Sequence, residues 1–182
     1  MTITMQYLLV CLVLIGVAAC SNDKINAAGA IAYAEHEGQT YLLLADHTGL
    51  VSYRGYGAFG GSLESGETLE EGALREFHEE TACHFLGKIQ AVSKQYVRKG
   101  NYVSFVVRIG FIPSEQLNQD LQNSLCEGGV FNERTGWVWV AQDALLEQLK
   151  TGDTYQDETV DLSLWDKSTA IIKQAKQQGL LP

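Results

Sequence analysis

Three carboxylates recur in the segment Arg75-Glu76-Phe77-His78-Glu79-Glu80, at Glu76, Glu79 and Glu80. If the segment is helical, these positions fall within about 100° of one another and share one face. Like charges held so close repel, and the cluster makes chemical sense when a cation sits among them. A hard divalent ion is the simplest candidate, because hard ions take oxygen ligands. An acidic helix face lying idle in solvent is the competing reading.

The element that must carry these groups has its own start signals. Thr68, with Glu71 three residues on, has the spacing of a capping box, and Glu67, Glu70 and Glu71 suit the positive end of a helix dipole. Ala73, Leu74 and Phe77 form a second face, read as the buried stripe. Gly72 projects between Glu76 and Glu79, where the missing side chain lets a chain segment or ligand come close. Arg75 is placed to orient Glu67 or Glu79 through a charge-assisted hydrogen bond.

From Gly61 through Glu67, Arg75, Glu76, Phe77, Glu79 and Glu80 to Ala82 and Cys83, the spacing resembles the Nudix hydrolase signature. Every fixed position agrees except the last, where Ala82 replaces a glycine. Glycine there would close the helix in a left-handed conformation; alanine either takes that conformation at a cost of about 1 kcal/mol or lets the helix run on. The resemblance implies an α/β fold, an α/β/α sandwich around a mixed β-sheet. It also implies Mg²⁺ (or Mn²⁺) held by Glu76, Glu79 and Glu80 with the Gly60 carbonyl, Glu80 the first choice of ligand, Glu76 the next and Glu79 a ligand or a general base, with Arg75 and Glu67 paired behind them, and hydrolysis of a nucleoside diphosphate linked to another group. A nucleotide-binding module that has lost turnover is the alternative, motivated by Ala82. Some members of the family place another catalytic glutamate before a tryptophan strand; here Glu127 and Glu133 are available, and neither aligns.

Strands are expected at Ala27–Ala34 and Thr40–Ala45 about a Glu37-Gly38 turn, and at Tyr102–Phe111, where apolar residues alternate. Phe85–Val97 reads as extended, leading to a hairpin loop at Lys99-Gly100-Asn101. Gly136–Val140 carries Trp137 and Trp139. Asp143 is expected to cap a short helix to Leu149, and Ser163–Gln177 to form the last one. Lys88, Lys94, Arg98 and Lys99 form a basic edge that could meet a phosphate or simply face solvent. Tyr53, Tyr56, Tyr96 and Tyr102 could stack on a base or serve packing, and packing is the usual role. The four histidines have no zinc spacing.

The 182 residues suffice for one domain with a core. A net charge of −9 leaves no basic patch for duplex nucleic acid and means that an anionic substrate needs a bridging cation. Near the N-terminus, an apolar run from Tyr7 ends in Val17-Ala18-Ala19-Cys20. It resembles a bacterial lipoprotein signal with Cys20 acylated, although Met1–Gln6 lack Lys and Arg. This divides the chain into a signal at 1–19, a tether at 20–26 and the domain at 27–182, anchored to the cell envelope through lipid. An uncleaved anchor or a packed apolar arm are the alternatives. Cys83 and Cys126 could then pair, or remain buried thiols.

Overall fold

The computed structural model describes residues 24–48, 54–119, 126, 134 and 136–182. The proposed signal, Cys20 and its tether up to residue 23, the Leu50–Tyr53 segment, Glu127 and Glu133 lie outside them. Strand β1 (Ala27–His36) turns through Glu37 and Gly38, both at positive φ, into antiparallel β2 (Gln39–Asp46). Two successive left-handed residues match the right-handed twist of a hairpin. The next segment splits between these two strands: β3 (Tyr56–Gly57) pairs with the end of β2, and β4 (Phe59–Ser62) with the start of β1. After helix α1 (Leu69–Glu80) come β5 (Ile89–Lys99) and β6 (Tyr102–Ile109), joined at Gly100-Asn101. Strand β6 lies parallel to β1, which makes the seven-stranded sheet mixed. Helix α2 (Ser114–Gln119) precedes β7 (Trp137–Ala141), which pairs with β2. Helix α3 (Gln142–Gln148), a small hairpin of β8 (Thr154–Gln156) and β9 (Asp161–Ser163), and helix α4 (Asp166–Gln177) complete the chain.

Strand period decides the layers. Ala28, Ala30, Ala32 and Ala34 point to one side with Val103, Phe105, Val107 and Ile109, and pack on Ala73 and Phe77 of α1. The small alanines let the helix approach closely. Ile31, Leu42, Leu44 and Val106 point to the other side, against Leu145 of α3 and Ile171, Ile172 and Ala175 of α4. The expected α/β/α sandwich is therefore the observed one.

Several boundaries differ from the sequence reading. Asp143 lies inside the first turn of α3, and the N-cap is Ala141 without a side-chain bond, because β7 feeds directly into the helix. Residues Phe85–Lys88 form turns, and the extended strand starts only at Ile89. The last helix starts at Asp166, since Ser163 is held in β9 opposite Thr154.

Candidate active site

Helix α1 starts where its capping box predicts. The Glu71 amide donates to the Thr68 hydroxyl at 3.2 Å, and the Thr68 amide donates back to the Glu71 carboxylate at 2.9 Å. A Cβ on Gly72 would overlap Leu63, so the close chain segment is the loop that leads into the helix. The other end closes as a Schellman motif: Cys83 N–H donates to the His78 carbonyl at 2.8 Å and Ala82 N–H to the Glu79 carbonyl at 3.1 Å. Ala82 occupies the glycine position at φ 48°, followed by Cys83 at φ 62°. Alanine thus adopts the glycine conformation, and the helix does not run on. Cys83 and Cys126 form a disulfide, Cα to Cα 5.2 Å, which resolves the choice that spacing left open.

Arg75 organises the exposed end of the carboxylate face. Its Nε donates to Glu67 at 2.7 Å, Nη1 to Glu79 at 2.8 Å and to Glu76 at 3.1 Å, and Nη2 to the Ser62 carbonyl at 2.9 Å. Both partners expected for Arg75 are engaged together. The guanidinium's bond to Glu67, reinforced by Glu76 and Glu79, drives its pKa above the ordinary arginine value, and the same bond holds the Glu67 carboxyl below the usual range.

Glu80 lies deeper, at 1% exposure. One carboxylate oxygen accepts from the Gly60 amide at 3.1 Å, and the other is paired with Arg134, whose side chain is 5% exposed. The Trp137 indole donates to the Glu80 backbone carbonyl at 2.9 Å and ties β7 to the end of α1. Burial lowers the Arg134 pKa to about 10, opposed by Glu76, so the group stays charged at neutral pH. His47, 2% exposed, is pushed down to about 4, chiefly by burial and then by Arg134.

The backbone beside the carboxylates is bare. A Cβ on Gly61 would stand 2.5 Å from the Glu76 carboxylate, and one on Gly60, at φ 145°, 2.5 Å from the Tyr102 hydroxyl. Tyr102 donates to the Phe59 carbonyl at 3.0 Å, and burial raises its pKa. Helix α1 and the glycine strand β4 therefore bring the predicted residues Gly60, Glu67, Arg75, Glu76, Glu79 and Glu80 into one neighbourhood.

The sequence matches the NUDIX domain over residues 23–162. The chain belongs to the NUDIX domain family. No curated protein matches the sequence. Among solved structures, the NUDIX fold of this chain is similar to that of the C. elegans Ap4A hydrolase, with TM-score 0.50 and 12% identity over 85% of this chain and 98% of that one. It is also similar to RenU, a Nudix hydrolase from M. smegmatis, with TM-score 0.52 and 16% identity over 87% and 88% of the two chains. At these identities the likeness is one of fold.

Sequence reasoning missed Arg134 and the contribution of α4. Ser168 of α4 accepts the Ala58 amide at 2.6 Å across 110 positions of chain. No local pattern signals such partners. His84 packs edge-on to Trp137, and the centroid of His47 lies 5.4 Å from that of Trp165. Among the described residues, no three acidic, histidine or cysteine side chains converge closely enough to hold a metal ion as they stand. Arg75 engages Glu76 and Glu79, and Arg134 engages Glu80. The donor set still fits a hard divalent ion: three carboxylates on one helical face, beside the glycine backbone of β4.

Proposed function

We propose that this NUDIX protein hydrolyses the diphosphate bridge of a nucleoside diphosphate linked to another group, with Mg²⁺ or Mn²⁺. One observation carries the reading: Glu76, Glu79 and Glu80 are all present on one helix face, with Glu80 buried against the Gly60 amide. Glu76, Glu79 and Glu80 would hold the ion, with the Gly60 carbonyl as a further ligand by family resemblance. When bound, the ion supplies charge neutralisation of the diphosphate and a bound water of lowered pKa. The chain's own groups do the rest. Arg75 locks the loop at Ser62 to the helix face and fixes Glu67 and Glu79. The bare backbone at Gly60 and Gly61 lets the Tyr102 hydroxyl and the Glu76 carboxylate come close to β4. Hydrolysis forms a new phosphorus–oxygen bond from water, breaks the bridging one, and needs a group to receive a proton. Glu79 takes that role where Glu76 and Glu80 alone hold the ion.

The test is release of nucleoside monophosphate by residues 21–182 from nucleotide sugars, dinucleoside polyphosphates and nucleoside triphosphates in Mg²⁺. Glu80→Gln is expected to lose at least about a thousandfold, or roughly 4 kcal/mol of barrier. The pairing of Glu80 with Arg134 favours a second reading, a nucleotide-binding module without turnover. Binding without hydrolysis across the panel, unaffected by Glu80→Gln, would select it.

The disulfide supports an oxidising compartment, in line with an envelope protein acylated at Cys20. No helix among the described residues is long and apolar enough to cross a membrane. Cys20→Ser should abolish lipid labelling in a bacterial host; labelling that persists rejects the anchor.

A further inference from the structure

The chain enters the domain at one corner of the sheet. The amides of Asn26 and Ala27 donate to the Asn101 carbonyl at 3.0 and 3.3 Å, and the Asn101 side chain donates to Asn26 Oδ1 at 2.7 Å. The Asn26 carbonyl in turn accepts the Leu63 amide at 2.9 Å. These bonds fix the point of entry to the β5–β6 turn. Cys20 stands six residues before Asn26. Even a fully extended chain of that length reaches no more than about 20 Å. An acyl group on Cys20 would therefore hold this corner at the membrane surface.

The corner is basic although the molecule is acidic. The net charge is −9, yet Lys24, Arg98, Lys99 and Lys167 are all exposed near the entry point. Lys99 and Lys167 line one cleft together with Gly100 and Asn101, which places the start of α4 beside the turn. Gln174 of α4 donates to the Arg98 carbonyl at 3.4 Å, and Arg98 Nε donates to the Gly100 carbonyl at 3.0 Å. The turn and the helix thus present their cations together. Glu64, Glu70 and Glu71, the exposed acids nearest the entry, belong to α1 and the loop before it, on the other face of the sheet. On the α4 side, Asp166 accepts the Lys167 amide at 2.8 Å and Asp153 the Thr169 hydroxyl at 2.8 Å. Attraction between a cation and an anionic bilayer fades over a Debye length, about 10 Å, so only cations held at the surface contribute.

We propose that the β5–β6 turn and the start of α4 rest on the anionic phospholipid headgroups of the membrane that takes the acyl chains of Cys20. Lys99 and Lys167 make the contact, and the molecule leans so that α4 faces the bilayer and the acids of α1 face away. The proposal rests on the anchor at Cys20 and is independent of hydrolysis. A lipid chain and a basic patch are complementary signals: the first holds the protein at the surface, and the second sets its orientation there.

The experiment reconstitutes the full chain, acylated in a bacterial host, into phosphatidylcholine vesicles with and without phosphatidylglycerol. An amine-reactive label, read by mass spectrometry, should modify Lys99 and Lys167 at least about threefold more slowly when phosphatidylglycerol is present, and high salt should cancel the difference. Lys88, whose carbonyl accepts the Gly110 amide at the other end of β6, should label equally in both. A nitroxide on the lipid headgroup should quench Trp165, two residues before Lys167, and Trp165→Phe should remove that quenching. Lys99→Glu/Lys167→Glu should lose the quenching, while Lys88→Glu/Lys94→Glu, the same charge change elsewhere on the molecule, keeps it. Thermal melts screen each variant for folding. Equal labelling of Lys99 and Lys167 in both vesicles, or equal loss of quenching in the control pair, overturns the orientation and leaves the anchor standing. A chain that associates with neither kind of vesicle removes the anchor and the proposal with it.

Discussion

Arg134 and Glu80 are both almost fully buried, and each supplies the counter-charge that makes the other tolerable there. Truncating one partner of a buried pair leaves an uncompensated charge. Arg134→Gln should therefore destabilise the metal-free protein by about 3 kcal/mol in urea unfolding. If a divalent ion takes over compensation of Glu80, Mg²⁺ should raise the melting temperature of that variant more than that of wild type. An equal or smaller rise would separate Arg134 from the metal site. His47 makes a prediction of opposite origin. Its pKa falls from 6.5 unfolded to about 4 folded, so the native state takes up its proton less readily. The contribution is complete above pH 6.5 and is lost as pH falls from there through 4, on the order of 3 kcal/mol in all. Urea midpoints across that span should drop in wild type more steeply than in His47→Gln.

At the scale of the element, the box helix is held at both ends by devices of known size. Thr68→Ala removes the hydroxyl that accepts the Glu71 amide and should cost about 1 kcal/mol, measured as a shift in urea midpoint without a change in slope. Ala82→Gly should be close to neutral. Relief of the left-handed conformation is worth roughly 1–2 kcal/mol, but the buried methyl is lost, about 0.8 kcal/mol, and the unfolded chain gains about 0.4–1 kcal/mol of freedom. The balance explains how alanine holds a glycine position without displacing the carboxylates. The N-terminal cap was legible in the chain, because a capping box is a contact between residues a few positions apart, whereas Ala82 left the C-terminal turn open. The start of α4 was not legible, because β9 claims Ser163 through a partner at Thr154.

On the scale of the whole molecule, the Cys83–Cys126 bridge closes a long loop between the exit of α1 and the segment that precedes β7. With a sequence separation of 43, chain entropy assigns it roughly 4 kcal/mol. Cys83→Ser/Cys126→Ser, or reduction by dithiothreitol, should lower the unfolding free energy by about that amount. A loss under about 1 kcal/mol would mean that native strain or a compact unfolded state offsets the cross-link.

The sequence by itself determined the carboxylate face, the arginine that organises it and the alternation of the central strands. These follow from helical and strand periods acting over a few residues. From the same signature came the family and the α/β/α architecture. Which cation compensates Glu80, whether the two cysteines meet, and what wall stands opposite Gly60 were decided by tertiary structure alone. Arg134 lies 54 positions from Glu80, and Ser168 lies 110 from Ala58. Contacts at that range depend on how the sheet orders its strands, and no spacing along the chain encodes it.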